Sequence, residues 1–290
     1  MALKLELITF DASSKIVGSY NITRNDANPI NPAIYKDAVV WQDYRNRDNE
    51  IYMYNLSTKS ETRITNNKSN QAYPAIFGDK IVWQDNRNTY NFTNKDGKVE
   101  KRPQWDIYMY DLSQQTEIRI TTDSHDQTNP AIYGGRIVWQ DKRNGDQWDI
   151  YIYDISTKTE TRITSDPHEQ MNPAIYGDWI VWQDKRNGNQ WDIYTYNIDN
   201  GKESRITTNP SDQVYPSISG NRIVWEDRRQ GNSHVYIYDL STNTEIQMTT
   251  GANKQIRPLI NGDHVIWYSE GKTGVVPVHV APPAGSWGGE

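Results

Sequence analysis

Cysteine is absent from this 290-residue chain, so no disulfide framework, thiolate nucleophile or thiolate metal site can be built. Phenylalanine is scarce, with 3 residues against 19 tyrosines and 11 tryptophans. Large rings with polar tips suit half-buried sheet faces, where the body packs and the tip meets water. No apolar run approaches the ~18 residues of a membrane-spanning helix. Basic charge is not in excess: 31 Lys and Arg face 37 Asp and Glu, a net charge of −6. Without a global basic field, nucleic acid is not the expected partner. The start, MALKLELITFDASS, lacks the apolar core of a signal peptide, so either the protein stays in the cytoplasm or a leader has been removed. A helical period is missing throughout.

What the chain does contain is one unit written six times. Residues 129–164 and 172–207 match at 26 of 36 positions. A central tryptophan recurs at Trp41, Trp83, Trp139, Trp182, Trp225 and Trp267, with gaps of 42, 56, 43, 43 and 42 residues. Repeats of this length mean a solenoid, a propeller or an array.

The third copy shows how each unit reads. Residues 131–133 lead into a Gly134-Gly135 turn, and 136–141 (RIVWQD) form a β-branched, aromatic strand. A polar loop, 142–147, precedes DIYIYD (149–154), which alternates with period two, and ETRIT (160–164) is the last strand. Four antiparallel strands in about 43 residues, repeated radially, are the signature of a β-propeller blade. An open stack of sheets would leave two long edges exposed, which ring closure removes. Residues 5–10 and 19–23 resemble the second half of a unit and 257–269 the first half. Five complete units plus this composite predict an all-β, six-bladed propeller over residues 1–274, closed by N-terminal strands pairing with C-terminal strands. Residues 275–290 are expected to be a tail or linker.

The spaced pattern P-x-I-x-G-x-x-I-V-W-x-D-x-R-N-G-x-x-x-D-I-Y-x-Y-D, followed by R-I-T, resembles the TolB-like, WD40-like (PD40-type) β-propeller repeat. It is similar to the WQD-type repeats of surface-layer and other cell-surface proteins of archaea and bacteria. The resemblance covers about residues 3–270. It implies a binding platform on an extracytoplasmic protein, at the cell surface or secreted. Because the fold also hosts lyases and protease gates, it does not fix a function.

Residues present in nearly every copy are expected to build the blade. Trp-Gln-Asp-x-Arg recurs at Trp41, Trp83, Trp139 and Trp182, with Glu226 replacing Gln in the fifth copy and the sixth departing as Trp267, Tyr268, Ser269. The Trp is expected between blades, and the Asp on backbone donors or the following Arg. The stretch Asp-x-Arg-Asn-Gly-x-x-x-Asp places an Arg where a cation would sit, so no calcium loop is expected.

A unique ligand needs contacts that break the repeat. The residue before the first-strand proline is Asn31, Asn129 or Asn172 in three copies but Tyr73, Tyr215 or Arg257 in the others. These last three are candidate ligand contacts at a channel mouth, whereas Asn at such positions simply makes turns. His125 and His168 occupy matching loops as the best metal or general-base candidates, against the alternative of solvated loop histidines. Trp105, Trp148 and Trp191 precede the third strand in three consecutive copies. They form either an aromatic track or cation–π caps over Arg87, Arg143 and Arg186. An insertion of about 13 residues in the second copy carries Lys95, Lys98, Lys101 and Arg102 beside Tyr90 and Phe92, with Asp96-Gly97 as a hairpin turn. It is either a partner contact or a neutral insertion.

The function expected is therefore a non-catalytic binding or structural module, monomeric as an isolated domain. It would engage a protein or surface glycan through its loop face, with no metal and no cofactor. The alternative is a polysaccharide-lyase-like enzyme using His125 or His168 as base.

Overall fold

The computed structural model describes residues 6–10, 16–93, 95–262, 264–270 and 278–281. Every regular element among them is a β-strand. Blade one comprises Pro29–Tyr35, Ala38–Asp43, Glu50–Asn55 and Ser60–Arg63. Blade two comprises Gln71–Phe77, Lys80–Thr93, Val99–Asp111 and Thr116–Arg119. Blade three comprises Gln127–Tyr133, Arg136–Asp141, Asp149–Asp154 and Thr159–Arg162. Blade four comprises Gln170–Tyr176, Trp179–Asp184, Asp192–Asn197 and Lys202–Arg205. Blade five comprises Gln213–Ser219, Arg222–Asp227, His234–Asp239 and Thr244–Gln247. Each is one four-stranded sheet in sequence order. Neighbouring strands are antiparallel in the pairings of blades one, two, four and five.

The propeller thus has five four-stranded blades, not the six expected. The sixth was to combine strands from the two chain ends. Instead, Glu6–Phe10 and Ile16–Asn21 pair with each other in a two-stranded sheet. Lys254–Asn261 and His264–Glu270 take their third strand from Val278–Ala281. The physical reason is proximity along the chain. A nearby β-prone segment satisfies the edge of His264–Glu270 at far smaller loop-closure cost than a segment some 250 residues away. The VHVA of 278–281 bears no likeness to DIYIYD, so the repeat pattern passed over it.

Two compact units divide the chain. One comprises residues 1–145 with 153–159, the other 146–152 with 160–290. In the first, Val40 and Ile51 of blade one pack with Ile76, Ile81, Trp83 and Tyr108 of blade two. Ile22 covers Val39, Trp41 and Tyr52 on blade one. In the second, Val181 and Ile193 of blade four pack with Ile218, Ile223, Trp225 and Tyr236 of blade five. Val224 and Val235 then meet Ile260 and Val265. The second strand of a blade is buried on both faces, which is why its apolar residues run consecutively (Ile-Val-Trp) rather than alternating. The fourth strand is mostly exposed and accordingly polar.

Candidate binding site

The repeated residues form a frame that can be read bond by bond. The indole N–H of Trp41, Trp83, Trp139, Trp182 and Trp225 donates to the carboxylate of Asp43, Asp85, Asp141, Asp184 and Asp227 at 2.9–3.2 Å. Each carboxylate also receives the backbone N–H of the Arg two residues on, at 2.9–3.0 Å, and that Arg's guanidinium at 2.5–2.6 Å. In four blades the guanidinium lies over a tyrosine ring, with Arg45 4.1 Å from the Tyr52 centroid, Arg87 4.3 Å from Tyr108, Arg186 4.4 Å from Tyr194 and Arg229 4.2 Å from Tyr236. Its other arm holds Glu61, Glu117, Glu203 or Glu245 on the fourth strand. Burial pushes the Asp43 carboxyl up, but hydrogen bonds from Arg45, Trp41 and two backbone N–H groups outweigh it and hold the pKa below the usual range. Burial likewise works against the charged Arg45, and Asp43 and Glu61 more than compensate, raising its pKa. The fully desolvated carboxylates are therefore satisfied, as a buried charge must be.

The Arg-Ile-Thr triplet has its own role. Thr65, Thr121, Thr164 and Thr207, and Thr249 of the matching Gln-Met-Thr, accept the N–H of Ile51, Ile107, Ile150, Ile193 and Val235 at 2.8–2.9 Å. The Arg of the triplet pairs with the acid that opens the third strand: Arg63 with Glu50, Arg119 with Asp106, Arg162 with Asp149, Arg205 with Asp192.

The Gln of Trp-Gln-Asp ties one blade to the next, which the sequence did not disclose. Gln42, Gln84 and Gln183 accept the backbone N–H of Tyr73, Asn129 and Tyr215 in the following blade at 2.9–3.0 Å. Those receiving positions are the residues before proline, and all six copies are left-handed there: Asn31, Tyr73, Asn129, Asn172, Tyr215 and Arg257 have φ of 50–55°. The strand register skips at the same place in each first strand. Asn tolerates a left-handed backbone and, at Asn31, Asn129 and Asn172, its amide bonds to Gln42, Gln140 and Gln183 in its own blade. The tyrosines and the arginine have no such reason to be there.

Of the candidates from the sequence, the structure brings Tyr215 and Arg257 together: the guanidinium lies 4.9 Å from the ring centroid. Tyr73 is 44 % exposed. Beneath Arg257 sits Glu226, which replaces the frame's Gln in blade five and is 2 % exposed. Its carboxylate receives the Arg257 N–H at 3.3 Å, the Ser233 hydroxyl at 2.8 Å and Arg228 at 3.0 Å. Arg228 also reaches Asp212 at 3.4 Å. Glu226 and Arg228 were not singled out from the sequence as contacts, although WED-R in place of WQD-K was the available signal.

The other candidates lie apart. His125 and His168 each bond through Nδ1 to Asp123 and Asp166 at 2.7 Å. Both aspartates also accept the histidine's own backbone N–H, the turn that Asn67 makes with Ser69 and Asn209 with Ser211. Asp126 and Glu169, which adjoin the histidines in sequence, instead accept the N–H of Trp105 and Trp148, as Asp212 does for Trp191. Among the described residues no group of three or more His, Asp or Glu is placed to hold a metal ion. Trp105, Trp148 and Trp191 are half-buried. Arg87 and Arg186 stack on tyrosines rather than on these tryptophans, and it is Lys185 that lies over Trp191, at 5.4 Å. The insertion extends the second and third strands of blade two as a ladder from Asn88↔Gln104 to Thr93↔Val99. Gly97 supplies the left-handed turn residue with φ of 74°. Arg102 covers the Phe92 ring at 3.5 Å, and Lys95, Lys98 and Lys101 are exposed.

No protein-family model matches the sequence, and no curated protein matches it. Solved structures do. TolB from Acinetobacter baumannii is similar with a TM-score of 0.62 at 18 % identity, over 86 % of this chain and 61 % of that one. A putative TolB from Agrobacterium tumefaciens gives 0.59 at 16 % identity, over 91 % and 94 %. The acylaminoacyl peptidase of Pyrococcus horikoshii gives 0.69 at 13 % identity, over 91 % of this chain but only 45 % of the peptidase. The chain therefore has the β-propeller fold of TolB-type proteins, and at these identities the likeness concerns the fold alone. It spans under two thirds of the first of these relatives. No helix among the described residues is long and apolar enough to cross a membrane.

Proposed function

We propose that this chain is a non-catalytic binding propeller of a cell-surface or secreted protein, engaging a protein or surface-glycan partner through its loop face. One observation carries the reading. The carboxylates and guanidinium groups that recur from blade to blade are bonded within the frame, whereas Tyr73, Arg257 and the basic hairpin of blade two, which differ between blades, are exposed. Exposed loops on a rigid scaffold are where recognition is usually carried. The likeness to TolB supports a binding role and an extracytoplasmic setting. The peptidase likeness lends the lyase alternative no support, and His125 and His168 sit in the same turns that Ser69 and Ser211 make in other blades.

The test is binding of the purified domain to arrayed surface polysaccharides, oligosaccharides and peptides, with and without divalent metal, while ligand depletion is followed. Binding with the ligand left intact is expected. Consumption of the ligand would overturn the proposal in favour of the lyase, and silence across the array would overturn the binding role itself.

A further inference from the structure

We propose that Arg257 and Tyr215 form a receptor for a carboxylate carried by an acidic peptide segment. The inference deepens the binding role proposed above and rests on it.

Three observations meet at one place, two of them departures from the repeat. At the left-handed position before proline, Asn is the residue the frame uses, and both its φ of 53–54° and its amide bond to the blade's own Gln are on display at Asn129 and Asn172. Tyr215 and Arg257 adopt the same backbone, φ of 55° and 50°, without that amide bond. Bulky side chains are disfavoured there. The frame does not require them, since it uses only their backbone N–H groups, which Gln183 and Glu226 accept. A residue that costs stability where Asn would serve is held by something other than folding.

The second departure is electrostatic. Glu226 is fully occupied by Arg228, Ser233 and the Arg257 backbone, and Arg228 spends its other arm on Asp212. Among the described residues no carboxylate pairs with the Arg257 guanidinium, and the Tyr215 hydroxyl has no hydrogen-bond partner. The third observation is orientation. The guanidinium is laid across the Tyr215 ring, so its planar fork is partly fixed before any ligand arrives. A fixed fork beside a phenolic hydroxyl matches a carboxylate, which can accept two parallel bonds from the Arg and a third from the Tyr.

The same stacking selects between polymers. A pyranose ring would stack on an open aromatic face, and Arg257 already occupies one face of Tyr215. A carboxylate reaching the fork from a flexible peptide needs no such face. Acidic peptide is therefore assigned, and an acidic glycan becomes an outcome of the test.

The test uses the full chain and fluorescence anisotropy with labelled peptides. One series carries a single Glu or its Gln counterpart with an amidated C-terminus; a second carries a free C-terminal carboxylate and no acidic side chain. Oligogalacturonate competes in a separate arm. Wild type is expected to bind at least one carboxylate series about tenfold or more tighter than the uncharged control. Arg257→Asn, the frame's own residue, is expected to abolish that preference with thermal stability unchanged or raised. Arg257→Lys should retain only part of it, since an ammonium lacks the fork. Equal binding of Glu and Gln peptides and of free and amidated ends, or undiminished preference in Arg257→Asn, would overturn the proposal. Binding of oligogalacturonate alone, lost in Arg257→Asn, would overturn the peptide assignment. A ligand from the array that binds equally well to Arg257→Asn would refute this site while leaving the general binding role standing.

Discussion

Blades four and five carry the same frame and differ in nearly everything around it. Trp182–Asp184 and Trp225–Asp227 bond at 2.9 and 3.0 Å, and Arg186 and Arg229 reach those aspartates at 2.6 Å. Around that constant, Gln183 becomes Glu226, Lys185 becomes Arg228, Trp191 becomes Ser233, and the left-handed Asn172 becomes Tyr215. Even the residue opening the third strand changes: Asp192, paired with Arg205, in blade four, and His234, with Gln247 at the position of that Arg, in blade five. His234 Nδ1 lies 2.8 Å from Gln255 Oε1, and the Gln255 amide nitrogen donates to the Asn253 carbonyl. The equivalent Gln213 Oε1, facing an aspartate's blade, is buried without a partner among the described residues. The difference teaches that the Trp–Asp–Arg–Glu frame holds a blade by itself, so the surrounding positions can diverge.

Removing the frame is the strongest way to break that comparison. Asp184→Ala and Asp227→Ala should each destabilise by about 3–5 kcal/mol, because a half-buried guanidinium and a buried indole N–H lose their partner together. Denaturant midpoints should fall alike in both blades; a large loss in one only would show that the frame is not equivalent.

Exchanging the residue that opens the third strand is the next test. His234→Asp in blade five buries a carboxylate without the fourth-strand Arg that Asp192 has, since Gln247 stands at that position, and should cost about 1–3 kcal/mol. Adding Gln247→Arg should recover much of it, as Arg205 serves Asp192. Lack of recovery in the double variant, read in chemical denaturation, would show that His234 is needed for its bond to Gln255.

Acid separates the two kinds of buried acid. Asp43 has a depressed folded pKa, and Asp111 is held down to about 2 chiefly by the Ser113 hydroxyl against the pull of burial. Their contribution to stability is complete above the unfolded aspartate value near ~3.9 and is lost as pH falls through the folded values. Asp106 has the opposite sign, since burial raises its pKa despite bonds from Gln104, Asn88 and Arg119. Its protonated form is favoured in the fold, so it adds stability as pH drops. Stability should therefore decline below about pH 4, and Asp43→Asn should flatten that decline where Asp106→Asn does not.

The smallest effect sharpens the comparison most. Tyr215→Asn should leave the fold unchanged or stabilise it by about 0.5–1 kcal/mol through relief of the left-handed Tyr, and Asn172→Tyr should cost at least as much. Thermal melts of the pair should move in opposite directions; a drop in both would place Tyr215 in the frame.

The four strands of each blade were legible because their burial pattern recurs in register, and Trp-Gln-Asp-x-Arg announced a frame by repetition alone. Val278–Ala281 was not legible as a strand, because it pairs with His264–Glu270 without sharing the pattern of a third strand. Nor was the role of Gln42, Gln84 and Gln183, whose partner is a backbone N–H some 31 to 45 residues away that no side-chain motif marks. Tyr73, Tyr215 and Arg257 stood out as unlike residues, but that they sit on a left-handed backbone, which makes their identity costly, is a fact of conformation. Glu226 looked like a conservative change until its three donors were in view.

The most direct measurement replaces the unlike residues with the frame's own: Tyr73→Asn, Tyr215→Asn and Arg257→Asn in one chain, compared with wild type on the same array of peptides and glycans and in the same thermal melt. The account predicts that ligand binding disappears while the melting temperature holds or rises. Binding that survives intact, or a protein that loses binding only because it has unfolded, would contradict the division between a frame that folds and unlike residues that recognise.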